Sequence, residues 1–87
     1  MIRVLLVDDQ SLLRLGFAMI LAAEPDIEVA GEAADGATGV AMTAALHPDV
    51  VLMDVRMPGT DGIAATAQIT AAGPATKVLI LTTFDLD

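Results

Sequence analysis

Four short apolar runs alternate along the chain with stretches of helical periodicity, and this alternation constrains the fold more than any other feature. The runs are predicted strands at residues 3–7, 27–33, 49–53 and 77–83. The stretches between them are predicted helices at residues 12–23, 36–46 and 62–71, with Ser11 and Asp61 as candidate N-caps of the first and third. A strand–helix–strand repeat with short connections implies a parallel sheet covered by helices on both faces.

Composition limits the classes of protein to which the chain can belong. Its 87 residues allow one small domain, and a hydrophobic content of 55% is too high for a disordered chain. The apolar runs are far shorter than the ~20 residues that span a bilayer, so we expect no membrane segment. The absence of cysteine is typical of a reducing, cytoplasmic setting.

The charge balance argues against direct nucleic-acid binding by this chain. The net charge is −8, from 12 acidic residues against 4 basic ones, and the basic residues are scattered. Contacts to phosphates require clustered Lys or Arg, which the sequence does not provide.

Acidic residues follow two of the predicted strands. Asp8 and Asp9 come directly after the first strand, and Asp54 comes directly after the third. In an open parallel sheet, ligands bind outside the carboxyl ends of the strands, where the strand order reverses. If the order is 2-1-3-4, as in flavodoxin-like three-layer αβα folds, these acids converge in the crevice between the first and third strands.

Converging carboxylates repel one another and suit a bound cation. Two unit charges ~4 Å apart at an effective dielectric of ~20 repel by about 4 kcal/mol. Oxygen ligands without His or Cys favour a hard cation, and three acids suit Mg²⁺ better than Ca²⁺. The alternative is that Asp8 and Asp9 only cap the following helix, but Asp54 at an equivalent strand end favours the metal site.

A strand-end aspartate can also act as a phosphoryl acceptor. An Asp carboxylate forms an aspartyl phosphate when a phosphoryl donor lies in line with it. The hydroxyl of Thr82, at the end of the fourth strand, could reach a phosphoryl group on Asp54, although it could equally be an ordinary strand threonine.

Three motifs together resemble the receiver domain of bacterial two-component response regulators. They are VLLVDDQ at residues 4–10, VVLMDVRMPGTDG at residues 50–62 and VLILTTF at residues 78–84. They occur in the family's order and spacing, and the resemblance covers the whole chain.

The resemblance implies a role for each candidate site residue. Asp54 is expected to accept a phosphoryl group from a sensor histidine kinase. Asp9 is expected to bind Mg²⁺ directly and Asp8 largely through water, with the backbone carbonyl of Arg56 as a further ligand. Thr82 is expected to hydrogen-bond the phosphate and to reorient on activation. Such a domain is a phosphoacceptor and not an enzyme, apart from catalysing its own phosphorylation and dephosphorylation.

The resemblance extends to the NarL/FixJ-like subfamily, through the stretches RLGFAMIL, IEVAGEAADG and LTTFDLD. Members of that subfamily carry a helix-turn-helix output domain of the LuxR type, and residues 1–87 contain none. DNA binding and transcription regulation are therefore expected of a parent protein. Receiver domains also continue with a helix, a strand that ends in Lys and a last helix, so we expect residues 1–87 to form a partial receiver domain.

Three other classes of protein are alternatives to this interpretation: a phosphatase, a dinucleotide-binding domain and an interaction module. A dehalogenase-like phosphatase needs a second acid two residues after the strand-end Asp, where this chain has Arg56, and a dinucleotide-binding enzyme needs a Gly-x-Gly-x-x-Gly motif, which is absent. The serious alternative is an inert interaction or dimerisation fragment without phosphotransfer. Self-association is expected in either case, because the fourth strand lies at the sheet edge and residues 78–84 contain no charge and no proline.

Overall fold

The computed structural model describes residues 1–54, 62–72 and 75–81. The elements in these ranges are β1 (Ile2–Val7), α1 (Ser11–Ala22), β2 (Ile27–Ala33), α2 (Gly36–Leu46), β3 (Val50–Asp54), α3 (Gly62–Ala72) and β4 (Lys77–Leu81). The strands form a parallel sheet in the order β2-β1-β3-β4, so the predicted flavodoxin-like fold is confirmed. None of the helices in the described ranges combines the length and hydrophobicity needed to cross a bilayer.

The central strand β1 is buried on both of its faces, which explains its unbroken apolar sequence. The residues of β1 from Val4 to Val7 are all buried. One face of the sheet forms the main core with α2 and α3; its buried members are Leu5, Val7, Ala33, Val51, Met53, Ala65 and Ile69. Val4 and Leu6 alternate with these residues and therefore face the other side, where α1 packs on β1 and β2.

Helix α2 lies unusually close to β1 at Gly39. A Cβ atom on Gly39 would lie 2.8 Å from Cγ2 and 3.0 Å from Cγ1 of Val7. The helix can occupy this position only because residue 39 has no side chain. Val7 directly precedes the acid pair, so this contact also packs the strand end that carries Asp8.

The N-caps of the helices agree only in part with those predicted from the sequence. Asp35 caps α2 by accepting hydrogen bonds from the backbone N–H of Thr38 at 2.7 Å and from its hydroxyl at 3.0 Å, and these bonds hold the pKa of Asp35 below its usual value. The assignment of Ser11 as a cap is wrong. Helix α1 begins at Ser11 itself, and the preceding Gln10 makes no side-chain capping bond. The other candidate cap, Asp61, lies outside the described residues.

Arg3 connects the elements at the amino end of the sheet. Its Nη1 donates to the carbonyl of Leu46, at the end of α2, and its Nε lies 3.7 Å from the Glu28 carboxylate on β2. The backbone N–H of Arg3 donates to the Asp49 side chain at 2.8 Å, and the N–H of Lys77 donates to the Asp49 carbonyl at 3.0 Å. Polar contacts therefore connect the strands and α2 at this end of the sheet, which lies opposite the acid pair.

Two glycine-to-alanine substitutions are expected to change the free energy of unfolding in opposite directions. Gly39→Ala should destabilise the chain, because forcing a methyl group against the buried Val7 costs ~1–3 kcal/mol and outweighs the helical gain. Gly16→Ala, on α1, should stabilise it by about 0.5–1 kcal/mol, because no atom lies within 4 Å of the added Cβ and alanine favours the helix. Urea unfolding followed by circular dichroism measures both, and changes of the same sign would contradict the packing described here.

Candidate functional site

The sheet register brings the acids of β1 and β3 together. Val7 pairs with Met53, and Asp8 and Asp54 are the next residues along their strands. The structure places ligand oxygens of Asp8, Asp9 and Asp54 within 4.8 Å of one another. The predicted order of strands therefore does bring the strand-end acids to a single cluster at the carboxyl edge, and we call these three residues the acid cluster.

The acid cluster is buried on one side and open on the other. Asp54 is 0% exposed and ranks among the largest fully buried side chains of the described residues, and Asp8 is 4% exposed. Asp9, by contrast, is exposed. Removing carboxylates from water is costly unless other groups compensate for the lost hydration. The acid cluster thus contains one fully buried carboxylate, that of Asp54, and is open to solvent at Asp9.

The pKa of Asp8 reflects the burial of the acid cluster and the charges within it. Burial raises the pKa of Asp8, and repulsion from the carboxylates of Asp54 and Asp9 raises it further. A hydrogen bond from the backbone N–H of Gln10 to Oδ1 of Asp8, at 2.8 Å, acts in the opposite direction. A cation between these carboxylates would favour their ionised forms and relieve the repulsion.

The donor set fits a hard divalent cation. The cluster offers carboxylate oxygens only, and their mutual distances are short enough for all three groups to contribute to one site. Oxygen-only ligand sets are typical of Mg²⁺ and Ca²⁺, whereas zinc prefers His and Cys. The acid cluster could therefore bind a metal ion.

The turn between β1 and α1 is held by several hydrogen bonds. The N–H of Asp8 donates to the Ala33 carbonyl of β2 at 3.0 Å, and the carbonyl of Asp8 accepts from Nη1 of Arg14. The Nε of Arg14 in turn lies 3.0 Å from the Glu32 carboxylate on β2. Sequence reasoning counted Arg14 among the scattered bases and missed this contact. The available signal was its position in the first turn of the helix that follows the acid pair.

Two predicted site residues lie outside the described residues. Arg56, the predicted carbonyl ligand, and Thr82, the predicted phosphate contact, fall in the ranges 55–61 and 82–87. Leu81 is the last described residue of β4 and lies opposite Asp54 in the sheet register. The roles of Arg56 and Thr82 stay predictions.

Comparison with known proteins agrees with this geometry. Residues 4–87 match the family of the response regulator receiver domain. The chain is 50% identical over 86 residues to the uncharacterized transcriptional regulatory protein YxjL of Bacillus subtilis, covering 99% of this chain and 39% of that protein. It is 46% identical over 83 residues to the response regulator protein VraR of Staphylococcus aureus, covering 95% of this chain and 40% of that protein.

A solved structure shows the same fold. The signal receiver domain of the putative response regulator NarL from Mycobacterium tuberculosis superposes with a TM-score of 0.90 at 38% identity, covering 97% of this chain and 68% of that one. The chain thus spans about two fifths of the length of the curated relatives that it matches. Because the family match runs over nearly the whole chain and the observed fold agrees with it, the chain belongs to the receiver domain family of two-component response regulators, and its relatives are NarL/LuxR-type regulators.

Proposed function

We propose that the chain is a phosphoacceptor in two-component signalling and that Asp54 receives a phosphoryl group from a histidine of a sensor kinase. The observation that carries this proposal is the full burial of Asp54 at the end of β3, within 4.8 Å of Asp8 and Asp9. Such an acid lies at the edge where parallel sheets bind ligands, beside groups that suit a metal ion.

The reaction is a phosphoryl transfer between a nitrogen and an oxygen. A carboxylate oxygen of Asp54 attacks the phosphorus of the phosphohistidine, and the phosphorus–nitrogen bond breaks with its electron pair returning to the imidazole. An acyl phosphate on Asp54 results, and later attack of water on phosphorus releases inorganic phosphate and restores the carboxylate. Because β3 pairs with a strand on each side, the sheet fixes the backbone that carries Asp54, which supports a defined position for the attacking carboxylate.

The other predicted site residues assist this transfer. Asp9 and Asp54 would hold Mg²⁺ directly, Asp8 would bind it largely through water, and the backbone carbonyl of Arg56 would be a further ligand. When bound, Mg²⁺ supplies positive charge that offsets the negative charge on the transferred phosphoryl oxygens. Thr82 donates a hydrogen bond from its hydroxyl to the phosphate on Asp54 and reorients on activation.

The same interpretation extends to the parent protein. The chain spans about two fifths of the length of its curated relatives, which supports a parent protein that is a cytoplasmic regulator and binds DNA through a separate helix-turn-helix domain. The net charge of −8 supports a chain that does not itself contact nucleic acid. Its direct partner is the sensor histidine kinase.

Phosphorylation should depend on Asp54. Incubation with acetyl phosphate and Mg²⁺ should add the mass of one phosphoryl group to the wild-type chain and none to Asp54→Asn, because the amide is not nucleophilic. Asp26→Asn is the matched control, because Asp26 is exposed and lies before β2, outside the cluster. Intact-mass spectrometry measures all three, and an adduct on Asp54→Asn would show that another residue is the acceptor.

Metal binding should depend on Asp9. Titration with Mg²⁺, followed by the amide NMR signals of Asp9 and Gln10, should show an affinity at least about tenfold lower in Asp9→Ala, since even indirect partners of a metal change its affinity ~10–100-fold. Asp26→Ala should bind as the wild type does. Equal affinities in Asp9→Ala and the wild type would remove Asp9 from the ligand set.

A second candidate function is interaction with another copy of the chain through β4. Among the described strands β4 pairs with β3 alone, and its residues Leu79 and Ile80 are 56% and 48% exposed. Lys77 at the start of β4 is its one charged residue, and the apolar residues that follow it favour pairing with a second strand. If this were the chain's function in place of phosphotransfer, association would be independent of Asp54.

Self-association should depend on the β4 edge. Light scattering should show dimers or larger species of the wild-type chain and a shift toward monomer in Leu79→Lys, because a charge at the edge opposes strand pairing. Leu15→Lys on α1 is the matched control, since Leu15 is similarly exposed, at 53%. A monomeric wild type, or an equal shift in both variants, would contradict association through β4.

A further inference from the structure

We propose that Arg14 is a positioning residue of the metal site: by holding the carbonyl of Asp8, its guanidinium aims the Asp9 carboxylate into the acid cluster. The inference rests on the proposed function, because it assigns a residue to the metal site. Arg14 itself contributes no ligand atom, and its effect is transmitted through the peptide that joins Asp8 to Asp9.

The contact acts on one rigid group. Nη1 of Arg14 donates to the carbonyl oxygen of Asp8, and that oxygen belongs to the peptide between Asp8 and Asp9. Because a peptide unit is planar, fixing its oxygen also fixes the direction in which the chain enters Asp9. The N–H of Asp8, in the preceding peptide, donates to the Ala33 carbonyl of β2 at 3.0 Å. The backbone on both sides of Asp8 is thus anchored to other elements.

Asp9 is the member of the cluster that most needs such support. The Asp8 side chain accepts a bond from the Gln10 N–H, and Asp54 is fully buried at the end of β3. Asp9 is exposed, so the direction of its side chain depends chiefly on the backbone that carries it. Loss of the Arg14 contact would therefore loosen Asp9 before the other two acids.

Arg14 is itself fixed by β2. Its Nε lies 3.0 Å from Oε1 of Glu32, and its side chain is only 18% exposed. The planar guanidinium can donate to the Glu32 carboxylate and the Asp8 carbonyl at the same time, whereas a lysine ammonium is a compact point charge on a flexible stem. The position of the Asp8–Asp9 peptide is thereby coupled to the sheet as well as to α1.

Charge and geometry predict opposite effects of removing Arg14. A positive group beside a cation site repels the cation, so charge alone predicts tighter Mg²⁺ binding when Arg14 is neutralised. Positioning predicts weaker binding, because Asp9 loses its orientation. The sign of the change therefore separates the two accounts.

Arg3 provides a matched control at the other end of the sheet. Its Nη1 also donates to a backbone carbonyl, that of Leu46, and its Nε also faces a glutamate of β2, Glu28. Arg3→Gln removes the same kinds of contact as Arg14→Gln but lies away from the acid cluster.

The test is an NMR titration of the chain with Mg²⁺ alone. Arg14→Gln should bind about tenfold more weakly than the wild type, a size typical of residues that support metal ligands. Arg14→Lys should also bind more weakly, because it keeps the charge and loses the double contact, and Arg3→Gln should bind as the wild type does. In the metal-free chain, the amide signals of Asp9 and Gln10 should move in Arg14→Gln and stay in place in Arg3→Gln.

The outcomes distinguish this inference from the proposed function. Equal or tighter Mg²⁺ binding by Arg14→Gln, with a wild type that binds, would overturn the role of Arg14 alone. A wild type that does not bind Mg²⁺ would overturn the metal site itself. Should Arg14→Gln fail to fold, Glu32→Asp is the deciding variant, because it keeps the charge but its shorter side chain no longer reaches Nε of Arg14 at 3.0 Å. Weaker binding then supports the inference, and unchanged binding overturns it.

Discussion

The mutual repulsion of Asp8, Asp9 and Asp54 is the constraint on which the rest of the structure depends. Their ligand oxygens lie within 4.8 Å of one another, although Asp8 and Asp54 are almost completely removed from water. A rigid scaffold keeps these acidic groups together despite the repulsion between their charged forms. The buried pairing of β1 with β3 provides it, because the register that aligns Val7 with Met53 places the strand ends that carry the acids side by side.

An arginine makes similar contacts at each end of the sheet, but the two contacts have different neighbours. At the amino end, Arg3 joins β1 to the end of α2 and to Glu28. At the carboxyl end, Arg14 joins α1 to the Asp8 carbonyl and to Glu32. The first contact connects β1 to α2 and β2, and the second lies beside the acid cluster, where we propose that it orients Asp9.

Much of the fold and part of the site could be predicted from the sequence. The alternation of strands and helices determined a parallel sheet, and acids at the ends of its first and third strands had to meet if those strands were neighbours. Long-range side-chain contacts could not be predicted in this way. The contact of Arg14 with Glu32 depends on the register between β1 and β2, which shifts after Val4.

The most direct test of the central claim is the free energy of unfolding of Asp9→Asn and of the wild type, each measured in urea with and without Mg²⁺. Without metal, Asp9→Asn should be the more stable, because it removes one of the converging charges. With Mg²⁺ at about 100 times its dissociation constant, the wild type should gain ~2.7 kcal/mol and become the more stable of the two. A lower stability of Asp9→Asn without metal would contradict the repulsion among the three carboxylates. Equal stabilisation of both chains by Mg²⁺ would contradict a cation site that includes Asp9.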